Sequence, residues 1–175
     1  MYKMLYLFVE GSHEREFFVE LGEKIFKDKY DEIKLVPYKQ ETKEWIKNLL
    51  KSIKSMGAGY IWFSDLNDSP CVSNRKGKLK EKYIDLDENK IIIVKKEIES
   101  WYLALIDDIT CRKFKIKPSK VKNTDNIIKE QFDVLIPNGI DKISFIREIL
   151  KFASIEKARQ RNKSFDYFVN KHCLG

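Results

Sequence analysis

The sequence predicts an α/β protein with a mainly parallel, four-stranded sheet flanked by helices. Short apolar runs rich in β-branched and aromatic residues alternate with longer stretches in which apolar residues recur at helical spacing. The runs are continuously apolar, as is typical of strands buried on both faces of a parallel sheet. After about residue 110 only the helical spacing continues. We therefore predict an α/β core over residues 1–108 and a basic helical subregion over 109–175, packed on that core.

Four segments have the composition of strands. MLYLFV at 4–9 is the first, and YIWFSD at 60–65 and IIIV at 91–94 are the third and fourth. IKLVPY at 33–38 is the second. Its Pro37 predicts an edge strand or a strand end, because proline cannot donate a backbone hydrogen bond.

Helices are predicted between the strands. Ser12 begins the first of them, and Thr42 is placed to cap a second, which Gly57 ends. RKGKLKEKYIDLDENK at 75–90 is a basic connection that we predict to be partly helical. EIESWYLALIDDI follows the fourth strand, and Trp101 lies on its apolar face. We therefore predict that Trp101 packs in the core rather than stacking on a base.

Composition restricts the class of protein. The apolar runs are far too short to cross a bilayer, and no secretory signal pattern opens the chain, so we predict a cytoplasmic protein without a membrane partner. Cys71, Cys111 and Cys173 are widely spaced and form no CxxC pair, which predicts reduced thiols rather than disulfides or a zinc site.

The net charge of +7 is unevenly distributed. Residues 1–108 carry 19 Lys and Arg against 20 Asp and Glu, whereas residues 109–175 carry 15 against 7. Two explanations are open for the basic last third. It binds a polyanion such as nucleic acid, whose counterions are released when phosphates are neutralised, or it is a solvated, lysine-rich surface.

Acidic residues follow three of the predicted strands. Glu10 ends the first strand, Asp65 ends the third with Asp68 three residues later, and Glu99 follows the fourth. Ligands of open α/β sheets bind beyond the carboxyl ends of the strands. Acids that converge there repel one another unless a cation lies among them, and oxygen ligands without His or Cys suit Mg²⁺ or Mn²⁺. Each acid alone is also common after a strand, where it favours a helix start.

These residues carry a family resemblance. FVEGSHEREFF at 8–18, followed about 50 residues later by YIWFSDLNDSP, resembles the toprim domain, a Rossmann-like fold whose first strand ends in Glu-Gly and whose third ends in Asp-x-Asp. Glu14, four residues after the first Glu, is similar to the second Glu of overcoming-lysogenization-defect nucleases and of small stand-alone toprim proteins. Glu99 and Trp101 match the Glu and Trp that begin the helix after strand 4 in the small proteins. The resemblance covers about residues 3–107.

One position departs from the family pattern. The chain has Asp65-Leu66-Asn67 in place of Asp-x-Asp, and Asp68 comes one place later. Asparagine offers a carbonyl oxygen to a hard cation but no charge, so it weakens metal binding. Either Asp68 replaces the second acid or the metal site is reduced.

The resemblance implies metal-dependent cleavage of phosphodiester bonds, with Glu10, Asp65 and Asp68 as catalytic residues. Asp65 with Asp68 or Asn67 would hold Mg²⁺ or Mn²⁺, and Glu10 would be a metal ligand or a general acid/base. Glu14 and Glu99 would complete the cluster or hold a second ion. The alternative for each of these two is a first-turn acid that favours the helix dipole, exposed in the case of Glu14.

Two basic segments are candidates for nucleic-acid binding. Arg75, Lys76 and Lys78 follow the Asp65 loop, where a flexible basic loop would suit a phosphate backbone. The second segment contains Arg159, Arg161 and Lys163, followed by Ser164 as the predicted N-cap of the last helix, which together form a natural phosphate-binding arrangement. A solvated surface is the alternative for both segments.

Two classes of function remain open from the sequence. The first is a metal-dependent nuclease acting on DNA or RNA, in phage defence or another mobile-element setting as its relatives are. As in larger relatives, an ATPase partner would be supplied by another chain. The second is a non-catalytic toprim-fold module that binds nucleic acid or a partner, for which Asn67 is the main reason. The sequence does not determine the substrate or the oligomeric state.

Overall fold

A computed structural model describes residues 2–173 as an α/β protein with a four-stranded, all-parallel sheet flanked by helices. The prediction of a parallel α/β fold is therefore confirmed. The strands are β1 Met4–Val9, β2 Glu32–Pro37, β3 Gly59–Asp65 and β4 Ile91–Val94. The chain divides between Ile93 and Val94 into two compact units. The predicted boundary at residue 108, and the packing of a helical subregion on the core, stay predictions.

The strand order is β2-β1-β3-β4. β1 pairs with β2 from Met4 opposite Glu32 to Val9 opposite Pro37, and β2 is an edge strand that ends at Pro37, as predicted. The chain passes from β1 to β2 on one side and then crosses to β3 on the other. The order of the sheet therefore reverses between the carboxyl ends of β1 and β3, which is the position where open α/β sheets bind their ligands.

Three helices cover the sheet of the first unit: α1 Ser12–Phe26, α2 Lys43–Ser55 and α3 Val72–Lys82. Phe8 and Trp62 stack on one face of the sheet, in a core that also contains apolar residues of α2 and α3. On the opposite face Phe18 of α1 contacts Phe63 of β3, with 4.5 Å between ring centroids. Because strand side chains alternate between faces, α1 covers one face while α2 and α3 cover the other.

Local sequence explains how two of these helices begin and end. Thr42 caps α2 as predicted, because its side-chain oxygen accepts a hydrogen bond from the Trp45 backbone N–H at 3.2 Å. Gly57 follows the helix with φ +65°, a left-handed conformation that glycine adopts without strain. The connection at 75–90 is partly helical, as predicted, because α3 covers it as far as Lys82. The buried Leu79 of α3 packs in the core with Trp62.

Seven helices follow within the part of the chain that the structure describes. They are α4 Glu99–Leu105, α5 Asp108–Lys113, α6 Pro118–Val121, α7 Lys129–Asp133, α8 Lys142–Lys151, α9 Ile155–Arg161 and α10 Lys163–His172. α4 is buried along its whole length and packs against α7, α8 and α9. Trp101 is fully buried and stacks on Phe168, so its predicted role in the core is confirmed.

Within residues 2–173, no helix has both the length and the apolar composition needed to cross a membrane. The cytoplasmic location stays a prediction. Cys71 is exposed, Cys111 is buried and Cys173 is half-buried, and no disulfide joins them within residues 2–173. Their reduced state stays a prediction.

Candidate functional site

Glu10 directly follows β1 and lies at the reversal point of the sheet. Phe8 pairs with Trp62 across β1 and β3, so Glu10, two residues further on, comes beside Ser64. The Ser64 hydroxyl donates a hydrogen bond to Glu10 Oε1 at 2.6 Å, and both residues are buried. The backbone pairing of the two central strands thus places a carboxylate and a hydroxyl in contact.

Two cations and a phenol complete this group. Arg75 of α3 donates from Nη2 to Glu10 Oε1 at 3.2 Å and to the Ser64 hydroxyl at 2.8 Å. Lys39 forms an ion pair with Glu10 Oε2. The hydroxyl of Tyr38, the residue after β2, donates to Glu10 Oε1 at 3.0 Å. We refer to Glu10, Tyr38, Lys39, Ser64 and Arg75 as the Glu10 cluster.

The Glu10 cluster holds a carboxylate in its charged form. Burial alone would raise the pKa of Glu10, but hydrogen bonds from Lys39, Ser64 and Tyr38 outweigh burial and lower it below its usual range. The pKa of Tyr38 is raised, first by burial and then by the charge of Glu10. At neutral pH the cluster therefore contains an ionised Glu10 and a protonated Tyr38.

Replacing Tyr38 by Phe is expected to lower the free energy of unfolding by about 1.5 kcal/mol, because a hydrogen bond to a charged group is lost in a buried site. Urea unfolding at neutral pH measures the effect. Tyr167→Phe is the matched control, since the Tyr167 hydroxyl accepts only an exposed hydrogen bond from Lys171. An equal loss in both variants would contradict this account of the Glu10 cluster.

The structure places Glu14 at the start of α1 in a capping role. Its Oε2 accepts a hydrogen bond from the Gly11 backbone N–H at 3.0 Å, and the side chain is buried. Glu14 is therefore a first-turn acid of α1, as the alternative has it, but it is buried rather than exposed. Gly11 has an extended backbone, which any residue can adopt. A Cβ atom at this position would lie 3.6 Å from Glu14 Oε2, an ordinary van der Waals distance, so neither the backbone nor the space requires a glycine here.

Asp65 is the last residue of β3, and residues 66–68 begin the turn that follows it. Asp65 is half-buried, and because it alternates with Ser64 along the strand, its side chain leaves on the opposite face from the Glu10 cluster. Asn67 has a left-handed backbone with φ 48°, and its amide donates to the Asp65 backbone carbonyl at 3.1 Å. Asp68 is exposed.

Glu99 lies in the second unit, at the first position of α4. Its buried carboxylate accepts a hydrogen bond from Lys142 Nζ at 2.8 Å, and the same ammonium group lies 2.7 Å from Asp133 Oδ1. Burial alone would lower the pKa of Lys142, but the hydrogen bonds to Asp133 and Glu99 outweigh burial and raise this pKa above its usual value. Glu99 is a first-turn acid, and a lysine of its own unit neutralises it.

The predicted metal ligands are carboxylate and amide oxygens, which suit a hard cation in type. Within residues 2–173, no group of three or more His, Cys, Asp or Glu side chains is arranged to hold a metal ion. The acids at the carboxyl ends of β1 and β3 offer the hard oxygen atoms that Mg²⁺ and Mn²⁺ prefer. Glu10 uses both of its oxygens for protein contacts. Of these, the contact with Lys39 is the one that a metal ion could displace, since 54% of the Lys39 side chain is exposed.

The first predicted basic segment is helical. Arg75 is engaged in the Glu10 cluster, and 18% of its side chain is exposed. Lys76 donates to the Glu88 backbone carbonyl at 3.2 Å, and Lys78 lies 3.5 Å from the Ser69 hydroxyl. All three residues lie on α3, so the expectation of a flexible loop is wrong.

The second predicted basic segment holds the helices of its own unit together. Arg161 donates to the backbone carbonyls of Ala104 and Ile106 at the end of α4, at 3.2 and 2.6 Å. Arg159 bonds to Asp166 and Asn170 of α10. Lys163 is exposed and begins α10, and its backbone N–H bonds to Asp125.

Asn162 rather than Ser164 is the N-cap of α10. Its Oδ1 accepts hydrogen bonds from the Phe165 backbone N–H at 3.0 Å and from the Ser164 hydroxyl at 2.8 Å. Its amide nitrogen donates to the hydroxyls of Ser100 and Thr124. The predicted cap at Ser164 is therefore wrong, because the buried Asn162 makes this set of contacts two residues earlier.

Sequence reasoning did not single out Tyr38, Lys39 or Ser64. Two signals are present in the sequence: Ser64 directly precedes Asp65 in the third predicted strand, and the Tyr38-Lys39 pair follows the proline that ends β2. Parallel strands bring both positions to the edge where Glu10 lies.

Comparison with protein-family models, with curated proteins and with solved structures finds no match to this chain. Its class is therefore stated from fold and site alone. It is a parallel α/β protein with an ionised carboxylate, held by two cations, at the reversal point of the sheet.

Proposed function

We propose that this protein is a toprim-like, metal-dependent nuclease that hydrolyses phosphodiester bonds in DNA or RNA. The observation that best supports this proposal is the ionised Glu10 at the reversal point of the sheet, in contact with Arg75 and Lys39. Open α/β sheets bind ligands at this position. An anionic oxygen beside two cations suits a reaction in which charged phosphate must be bound and a hard cation recruited.

Each residue of the site has a proposed role. Asp65 and Asp68 would hold Mg²⁺ or Mn²⁺, which when bound would stabilise charge on the attacking and leaving oxygens. Glu10, whose side chain lies on the other face of the sheet, would have to reach that ion around the carboxyl end of β3. The lowered pKa of Glu10 makes it a weak base, which favours the role of ligand over that of proton carrier. Arg75, fixed through Ser64, would neutralise a bound phosphate, and the half-exposed Lys39 would turn from Glu10 to the substrate.

Asp65→Asn is expected to lower Mn²⁺-dependent cleavage about 100-fold or more, because removing a charged ligand costs several kcal/mol of transition-state stabilisation. The measurement is cleavage of labelled single- and double-stranded DNA and RNA across a Mn²⁺ titration. Asp28→Asn, which changes an exposed acid beyond the end of α1, is the matched control. If the wild type cuts none of these substrates, or if Asp65→Asn cuts at the wild-type rate, the protein is not a nuclease of this kind.

A non-catalytic toprim-fold module that binds nucleic acid or a partner is the second candidate. The amide of Asn67 favours it, because this side chain stabilises the turn where the family pattern has an acid. Asn67→Asp separates the two candidates, since aspartate also tolerates the left-handed backbone of this position. A weakened nuclease gains cleavage from the restored charge, whereas a binding module gains none and still binds.

The biological setting rests on the resemblance alone. The resemblance implies a cytoplasmic protein that acts on nucleic acid in phage defence. It also implies an ATPase partner on a separate chain. Co-purification of the tagged protein with an ATPase of its host tests the last of these.

A further inference from the structure

The sheet of the first unit separates charge between its two faces. α2 and α3, on one face, carry nine Lys and Arg against two Glu. α1, on the other face, carries four Glu against one Arg and one Lys. The first unit is nearly neutral in sequence, but the face of its sheet that α2 and α3 cover is therefore strongly basic.

A groove lies on this basic face, beside α2 and the end of α3. It has a volume of about 240 Å³, and its floor consists of apolar side chains of α2 together with Tyr83. The lysines that line it are Lys43, Lys47, Lys51 and Lys82, and its acids are Glu44 and Asp85. All four lysines are exposed, and among the described residues none of them forms an ion pair with an acid.

The lysines of α2 form a regular row. Lys43, Lys47 and Lys51 are four residues apart, so they lie on one side of the helix at intervals of about 6 Å. A row of evenly spaced cations matches an anion whose charges also repeat evenly. The phosphate backbone of a nucleic acid has this property, whereas acidic residues in a peptide are irregularly spaced.

The geometry points to the α2 row and its groove as a binding track for the phosphate backbone of a nucleic acid. Two observations favour a nucleic acid as the molecule that occupies the groove. The first is the charge complementarity between the lysines and phosphates. The second is continuity with the Glu10 cluster, since α3 borders the groove at Lys82 and carries Arg75 near its other end. This inference rests on the proposed function, for which it supplies the surface that holds the substrate. It differs from the sequence prediction, which assigned nucleic-acid binding to α3 and to the last third of the chain.

Salt-dependent binding tests the track. The affinity of the full chain for a fluorescent single-stranded oligonucleotide is measured between about 50 and 200 mM salt, where phosphate contacts dominate the slope. EDTA is present, so cleavage plays no part. Lys47→Gln with Lys51→Gln is expected to make the plot of log affinity against log salt shallower by about 1.5, because two phosphate contacts are removed.

Lys24→Gln with Lys27→Gln is the matched control, because it removes the same charge from the end of α1 and the residue after it. The proposal requires that this control keep the wild-type slope. Equal slopes for the two double variants overturn it, as does tighter binding of poly-glutamate than of the oligonucleotide. Loss of cleavage in Asp65→Asn with unchanged binding leaves the track intact, so failure of the track and failure of the nuclease are distinguishable.

Discussion

Glu10→Gln is expected to lower the free energy of unfolding by about 2–3 kcal/mol at neutral pH. The variant keeps the size of the side chain but leaves the partly buried Arg75 without the carboxylate that neutralises it, and it weakens the bonds from Tyr38 and Ser64. The contribution of Lys39 is small because most of its side chain is exposed to solvent. Urea unfolding of the two proteins at matched pH measures the difference.

The pH dependence of this difference has a defined sign. The pKa of Glu10 is lower in the folded protein than in the unfolded chain, so the ionised form stabilises the fold. This contribution is fully present above the ordinary glutamate pKa, about 4.3, and is lost as the pH falls through the folded pKa. The gap between wild type and Glu10→Gln should therefore be widest near neutral pH and close in acid.

Glu20→Gln is the control for this experiment, since Glu20 is an exposed acid of α1. It should follow the wild type at every pH. A gap between wild type and Glu10→Gln that is constant from neutral to acid pH would mean that the charge of Glu10 does not stabilise the fold.

Asn162→Ala is expected to destabilise the protein by about 2–3 kcal/mol. About 1 kcal/mol comes from the lost N-cap of α10, and the remainder from the buried hydroxyls of Ser100 and Thr124, which lose the amide that bonds to them. Thermal and urea unfolding measure the loss.

Asn162→Ser separates the two contributions, because serine keeps a capping oxygen and lacks the amide. Its loss of stability should lie between those of wild type and Asn162→Ala. Equal losses for Ser and Ala would show that the cap contributes nothing.

The sequence predicts the strands well because their signal is local. β1 and β4 have the predicted bounds, and β3 begins one residue earlier than predicted. β1 and β4 are unbroken apolar runs, and β3 contains one at 60–63, so these strands can be recognised without deciding which face of the strand is buried. α3 was harder to predict, because Leu79 is its only buried residue and too few apolar positions reveal its period.

The partners of Glu10 could not be predicted in the same way. Tyr38, Ser64 and Arg75 lie 28, 54 and 65 residues from it along the chain, and no local pattern connects positions so far apart. Resemblance indicated the acids at the strand ends, but not that a tyrosine, a serine and two cations surround the first of them. The side chains around a carboxylate are set by sheet order and register, which appear only in the folded chain.

The separation of charge between the two faces of the sheet also affects how the first unit meets a partner in solution. With an acidic α1 on one side and basic α2 and α3 on the other, the unit has an electric dipole across its thickness. A polyanion exerts a torque on such a dipole and rotates the unit so that its basic face points toward the polyanion before contact. This rotation raises the fraction of collisions that are correctly oriented. The effect reaches about one Debye length, roughly 8 Å at physiological ionic strength, and added salt abolishes it.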